Sequence, residues 1–285
     1  LRALRICRYC VESLVMHMRP SQLPSIREFM ARDHRDDVDR LNGLLHSSGD
    51  AGLAREVPPI PFTGDIDSVE KGNCICLIGI NPLWSAKQVK HVQEYRPAEG
   101  MISRFRSGEE RAYDEYIESR QRYFDYEYAN WGHFDKSGYG YPGLGFPNEH
   151  KRSVWKRHAF AMDIVPYFSR DAGRLDKKKI IKHVQTDPAL ENHHRIMKEV
   201  IMETQPKIIH INGSHGMYAF EKILKPKLEL QEEFSQYKLK FGHVEIGGFR
   251  TKVLAHNQFA PGRFTPNPYD KYWPMFIESW RNWLS

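Results

Sequence analysis

Four apolar runs bounded by turns constrain this chain more than anything else in it: "CICLI" at 74–78, "AFAMDIV" at 159–165, "KIIHI" at 207–211 and "TKVLAH" at 251–256. None shows the strict alternation of a strand with one wet face. Strands apolar on both sides belong in a sheet covered on both sides, which favours parallel pairing with helices returning over the faces. Helical patterns fall where that requires them, in "PALENHHRIMKEVIMETQ" before the third run and "MYAFEKIL" after it. "YKLKFGHVEIGGF" reads as a hairpin feeding the last run, and "YDKYWPMFIESWRNWL" as a closing amphipathic helix. The expectation is a three-layer α/β/α sandwich around a central, mainly parallel sheet, with 74–78 and 207–211 interior.

The chain has 285 residues, 40% of them hydrophobic, enough for a substantial core. Residues 1–58 read as an N-terminal helical extension ending in the Pro-rich "REVPPIPFTGD", and 59–285 as the α/β domain. Within it, about 92–150 reads as an insertion without a core strand. Its stretch "YFDYEYANWGHFDKSGYGYPGLGF" is too aromatic for disorder and is expected to pack over the strand ends. No run approaches the ~18 apolar residues of a membrane span. Charges scattered through "LRALRICRYCVESLVMHM" argue against a secretory leader. An intracellular monomer, cytoplasmic or in the nucleoid or nucleus, is the expectation. The four cysteines form no disulfide framework, and Cys7-x-x-Cys10 lacks a second pair at zinc spacing, so no metal and no cofactor is expected.

Charge is concentrated. Residues 151–185 carry ten Lys and Arg against three Asp, an excess of seven where the whole chain's is +6. Lys151, Arg152, Lys156 and Arg157 lead that stretch. A basic surface of this kind suits a phosphate backbone, DNA or RNA, because neutralising phosphates releases counterions. A solvated helix face is the alternative.

Ligands of open α/β sheets bind outside the carboxyl ends of the strands, so the residues after each run are candidate site residues. They are "GINP" (79–82), "PYFSR" (166–170), "NGSHG" (212–216) and "HNQFAPGRF" (256–264), and they are expected to converge. Asn-Pro after a buried strand can aim an amide into a pocket while Pro82 fixes the chain beyond it.

In order, these motifs resemble those of the uracil-DNA glycosylase superfamily. "GINP" is similar to the first motif of its mismatch-specific and single-strand-selective branches, and "TKVLAHNQFAPGRF" to its second. The likeness covers roughly residues 70–285 and implies hydrolysis of the N-glycosidic bond of a deaminated or damaged base. It implies that Asn81 positions the water and that His256, a neutral donor, stabilises the departing base as an oxyanion hole would. Gly79, Ile80, Pro82, Gly213 and Ser214 would shape the substrate pocket, with Phe146, or else Tyr95, as the platform for a flipped base. Asn257, with Phe259 and Arg263 as wedge candidates, would meet the DNA. The chain departs from the family at Leu83-Trp84 and at His256-Asn257-Gln258. Asp163 stands where the base-reading Asn aligns, and a carboxylate accepts but cannot donate to uracil O4. Two other classes stay open: a nucleic-acid or nucleobase binder without turnover, and a Ser214 hydrolase using His256 and Glu245. The latter lacks the first glycine of the G-x-S-x-G elbow.

Overall fold

The computed structural model describes residues 19–45, 52–82, 89–127, 129, 131–137, 141, 150–170, 176–257 and 272–285. Its centre is a six-stranded sheet of β1 (Ile75–Gly79), β2 (Ala159–Asp163), β3 (Ile208–Asn212), β4 (Lys227–Leu230), β5 (Lys240–Ile246) and β6 (Phe249–His256). The order across the sheet is β2-β1-β3-β6-β5-β4. β2, β1, β3 and β6 run parallel, and β5 and β4 extend the sheet antiparallel. The four apolar runs are therefore the parallel core, with β1 and β3 interior. β2 is joined on its outer side by Thr63, which exchanges two main-chain hydrogen bonds of 2.8 Å with Ala161.

Alternation along the strands divides the core in two. Cys76, Ile78, Phe160, Met162, Ile209, Ile211, Val253 and Ala255 face one side. Covering it are α1 (Pro24–Ala31), α2 (Arg35–Leu45), α3 (Val89–Arg106), α4 (Glu110–Gln121), α7 (Lys177–His183), α8 (Pro188–Thr204) and α9 (Ser214–Leu224). Ile75, Leu77, Ala159, Ala161, Ile208 and Leu254 face the other side, against an aromatic layer that includes Phe134, Tyr141, Trp155 and Trp280. That layer draws on α5 (Trp131–Ser137), α6 (Lys151–Arg157) and α10 (Tyr272–Leu284). The result is a helix–sheet–helix sandwich.

Two sequence readings need correction here. The region 92–121 is no excursion over the strand ends. It holds most of α3 and all of α4, whose Ile102, Phe105, Tyr113 and Tyr116 are buried in the main core. Nor does the boundary near residue 58 separate two cores. Ile26 and Phe29 of α1 and Val38 and Leu41 of α2 share that core, and Arg40 grips Asp187, the N-cap of α8, at 2.9 and 3.0 Å.

Candidate active site

The carboxyl ends of the four parallel strands form one transverse row. Gly79 pairs with Asp163, Ile78 with Ile211, and Asn212 with His256. The register thus sets Asp163, Gly79, Asn212 and His256 side by side, and alternation turns all four toward the aromatic layer. Burial falls off on one half of this row only: β1 and β2 are each fully buried until their last residue, whereas Asn212 and His256 remain buried.

Gly79 is required by its neighbour. A β-carbon there would lie 2.2 Å from the Oδ1 of Asp163, so the carboxyl occupies the space a side chain would have taken. A side chain on Gly216, in the first turn of α9, would reach the Gly79 carbonyl at 3.9 Å, so that turn lies against the end of β1. Gly213 makes the turn possible: it holds φ at 109°, a region open to glycine alone in practice. The first amides of α9 begin at this edge without intrahelical acceptors.

Beyond β1 the chain stays laced to the exit of β2. Ile164, Val165 and Ser169 donate main-chain hydrogen bonds to the carbonyls of Gly79, Ile80 and Pro82 at 3.1, 2.9 and 2.9 Å. Asn81 donates through Nδ2 to the Ser169 hydroxyl at 2.7 Å and to the Pro82 carbonyl at 2.9 Å. These bonds fix the amide orientation, and its Oδ1 is left buried with no hydrogen-bond partner among the described residues. A lone buried acceptor of this kind is a place for a water molecule or a ligand N–H.

Asp163 is only partly exposed, and burial alone pushes its carboxyl up to about 7. Among the described residues, no hydrogen bond or charge offsets that. Its backbone is held from the opposite side by α8: His193 donates from Nε2 to the Asp163 carbonyl at 2.8 Å, and His194 to the Ile164 carbonyl at 3.0 Å. Burial holds both rings neutral, at about 3 and about 4. They are buried clips on the exit of β2.

His256 sits in a buried chain of hydrogen bonds whose proton positions follow from one carbonyl. Its Nδ1 lies 2.5 Å from the Asn257 carbonyl and must donate to it. Its Nε2 therefore accepts from His210 Nε2 at 2.6 Å, and His210 Nδ1 accepts from the Tyr141 hydroxyl at 2.7 Å. Trp280 of α10 lies nearly parallel to the His256 ring, 6.3 Å between centroids. Burial drives His256 down to about 4 and His210 well below the ordinary histidine value, so both are neutral. In this arrangement the His256 Nε2 is an acceptor. This corrects the expectation of a His256 N–H already aimed at a leaving base. Sequence reading missed His210 and Tyr141. His210 could have been found, because it precedes Asn212 by two and so shares its face.

No protein-family profile matches this chain, and no curated protein matches it. The functional reading rests on the strand-end geometry. Gly79, Ile80, Asn81, Pro82, Asp163, Gly213, Ser214 and His256 all lie at that edge, with Asn257 next to it. Phe146, Phe259 and Arg263 lie outside the described residues. Tyr95 is no platform: it is buried edge-on against Phe168, 4.2 Å between centroids. Beside it lies a fully buried ion pair that the sequence did not suggest, Glu94 with Arg120 at 3.1 Å.

The basic stretch does not form one surface. Trp155 places α6 in the aromatic layer, whereas Ile180 places α7 on the opposite face of the sheet. Arg152 pairs with Asp135 at 2.9 Å, Lys156 with Asp125 at 3.2 Å and Arg170 with Glu56 at 2.8 Å. Lys151 opens α6 and the exposed Arg157 ends it. The Ser214 hydrolase fails on distance. Glu245 pairs with Arg250 near the start of β6, six residues from His256, or about 20 Å along a strand.

Proposed function

We propose that the protein hydrolyses the N-glycosidic bond of a deaminated or damaged base in a nucleic acid, at the strand-end row of Asp163, Gly79, Asn212 and His256. The observation that carries this reading is the buried, unpartnered Oδ1 of Asn81 beside that row. Bond cleavage builds positive charge on the sugar and negative charge on the base. A water donating to Asn81 Oδ1 is oriented toward the sugar carbon. The departing base, which takes up the proton the attacking water loses, is met by the first amides of α9, where anions are stabilised, and by His256 once its ring leaves His210 and carries its proton on Nε2 in place of Nδ1. The similarity of "GINP" and "LAHNQ" to the glycosylase motifs supports the same reading.

A binding role without turnover is the second reading, and one observation favours it: both ring nitrogens of His256 are engaged. An abasic-site assay decides between the two, on oligonucleotides containing uracil, hypoxanthine or xanthine. Positioned groups of this kind contribute about 10²–10⁴-fold in rate. Asn81→Ala is expected to lower turnover by at least about tenfold, a floor under that range, with strand affinity nearly unchanged. Strands bound but left intact by the unmodified protein would establish the binding role.

A further inference from the structure

Asp163 is a carboxyl that, among the described residues, folding has left without a counter-charge, at the edge where a base would be read. Gly79 yields it the space over β1, and His193 clamps its carbonyl from behind. The ionisable groups on the surrounding elements do not supply a partner. On α8, His193 bonds the backbone and not the carboxyl, and on β6 and β3 the neutral His256 and His210 are turned to each other. On the aromatic side, Asp135 of α5 and Arg152 of α6 satisfy one another, and His133 of α5 packs on Phe134. At the exit of β2, Arg170 is taken by Glu56, and on α3 Glu94 is taken by Arg120. His215, in the first turn of α9, has an interaction of its own.

We propose, resting on the base-hydrolase reading, that Asp163 is the specificity-determining residue and reads the base through its neutral acid form. The carboxylic O–H donates to a ring carbonyl or ring nitrogen, and the other oxygen accepts the adjacent N–H, closing a two-bond cyclic pair. The ligand class is a nucleobase edge with one donor beside one acceptor, such as N3–H and O4 of uracil or N1–H and O6 of hypoxanthine. A carboxylate would meet the carbonyl oxygen of such an edge with a repulsive lone pair. Above the titration range the site must take up one proton from solvent for each base bound. The objection that an acid at this position cannot pair uracil therefore holds for the ionised form only.

The test uses the whole chain with uracil as the probe and 3-methyluracil, whose N3–H is blocked, as the control. Calorimetric titration across pH 6 to 8.5 follows the binding. Uracil affinity of the unmodified protein is expected to fall about tenfold per pH unit above the range where the carboxyl titrates, with proton uptake approaching one at the alkaline end. Asp163→Asn keeps one donor and one acceptor without a titration, so it should bind uracil with no such fall. Gly79→Ala, which pushes the carboxyl aside, should lose uracil at every pH, and 3-methyluracil should not bind. A flat profile in the unmodified protein, or the same fall in Asp163→Asn, overturns the proposal. Uracil bound with this pH signature but no strand cleaved would leave the Asp163 proposal standing and remove turnover. Strands cleaved with no pH-dependent base binding would do the reverse.

Discussion

Folding takes the Asp163 carboxyl out of water and, among the described residues, offers it no charge in return, and the sign of the consequence is fixed. Its folded value of about 7 lies above the unfolded 3.8, so between those two pH values the native state holds a proton that the unfolded chain has lost. Stability is full below the unfolded value, declines as pH rises through the window, and is flat above it. Asp163→Asn is therefore expected to raise the melting temperature at pH 8 and to change it little near pH 4. The gain at pH 8 is on the order of 2–4 kcal/mol. Melting curves at the two pH values check this. A residue kept at such cost fits a functional edge better than a structural one. The sequence allowed this much to be anticipated: Asp163 ends an apolar strand, and its polarity there was legible. Its lack of a partner was not, because that depends on Gly79 across the sheet.

Among the helices, α8 carries the sharpest dependence on acid. His193 and His194 are adjacent on it, and His34, after α1, is bonded to the Phe29 carbonyl at 2.7 Å and to the Tyr167 hydroxyl at 2.9 Å. Burial lowers all three to about 3–4, as it does His256. Their folded values lie below the unfolded 6.5, so the stability they carry is present above that pH and is lost as pH falls toward 4. Each such ring subtracts about 1.4 kcal/mol per pH unit within the window, and Asp163 offsets only one ring's worth with its equal and opposite slope. The melting temperature should drop steeply below pH 6. His193→Gln, which keeps a donor for the Asp163 carbonyl, should reduce the proton uptake on unfolding at pH 5.5 by about one. The strands were readable because their apolar runs are continuous, and the hairpin because Gly247-Gly248 splits it. α3 was hidden by Pro97 and Gly100 inside it, and β4 by the charges of "KPKLEL". The Tyr141–His210–His256 chain was out of reach for another reason: it joins residues 69 and 46 positions apart through a strand pairing that no local pattern encodes.

At the scale of the whole molecule, a net charge of +6 suggests avid binding to nucleic acid, but its distribution argues for restraint. With α6 and α7 on opposite faces of the sheet, one duplex cannot meet both sets of cations at once. Ion pairs with Asp135, Asp125 and Glu56 already hold three of them. Ten free cations would give a slope of about −9 in log K against log salt. The expected slope is about −2 to −3, which corresponds to two or three phosphates, and binding titrations from low to physiological salt measure it. Affinity would then come from the strand-end row more than from the backbone.

The two borders of the sheet also differ in what they expose to other chains. On β4 the outermost strand is only four residues long and carries Lys227 and Glu229, a border that charge protects from a foreign strand. On β2 the protection, among the described residues, is the antiparallel bridge of Thr63, laid over an apolar strand whose groups would otherwise be a template for another chain. Loss of that bridge, by cleavage in the 60s or by a proline at 63, would leave the parallel core strands in place but make the protein prone to self-association through its most hydrophobic border.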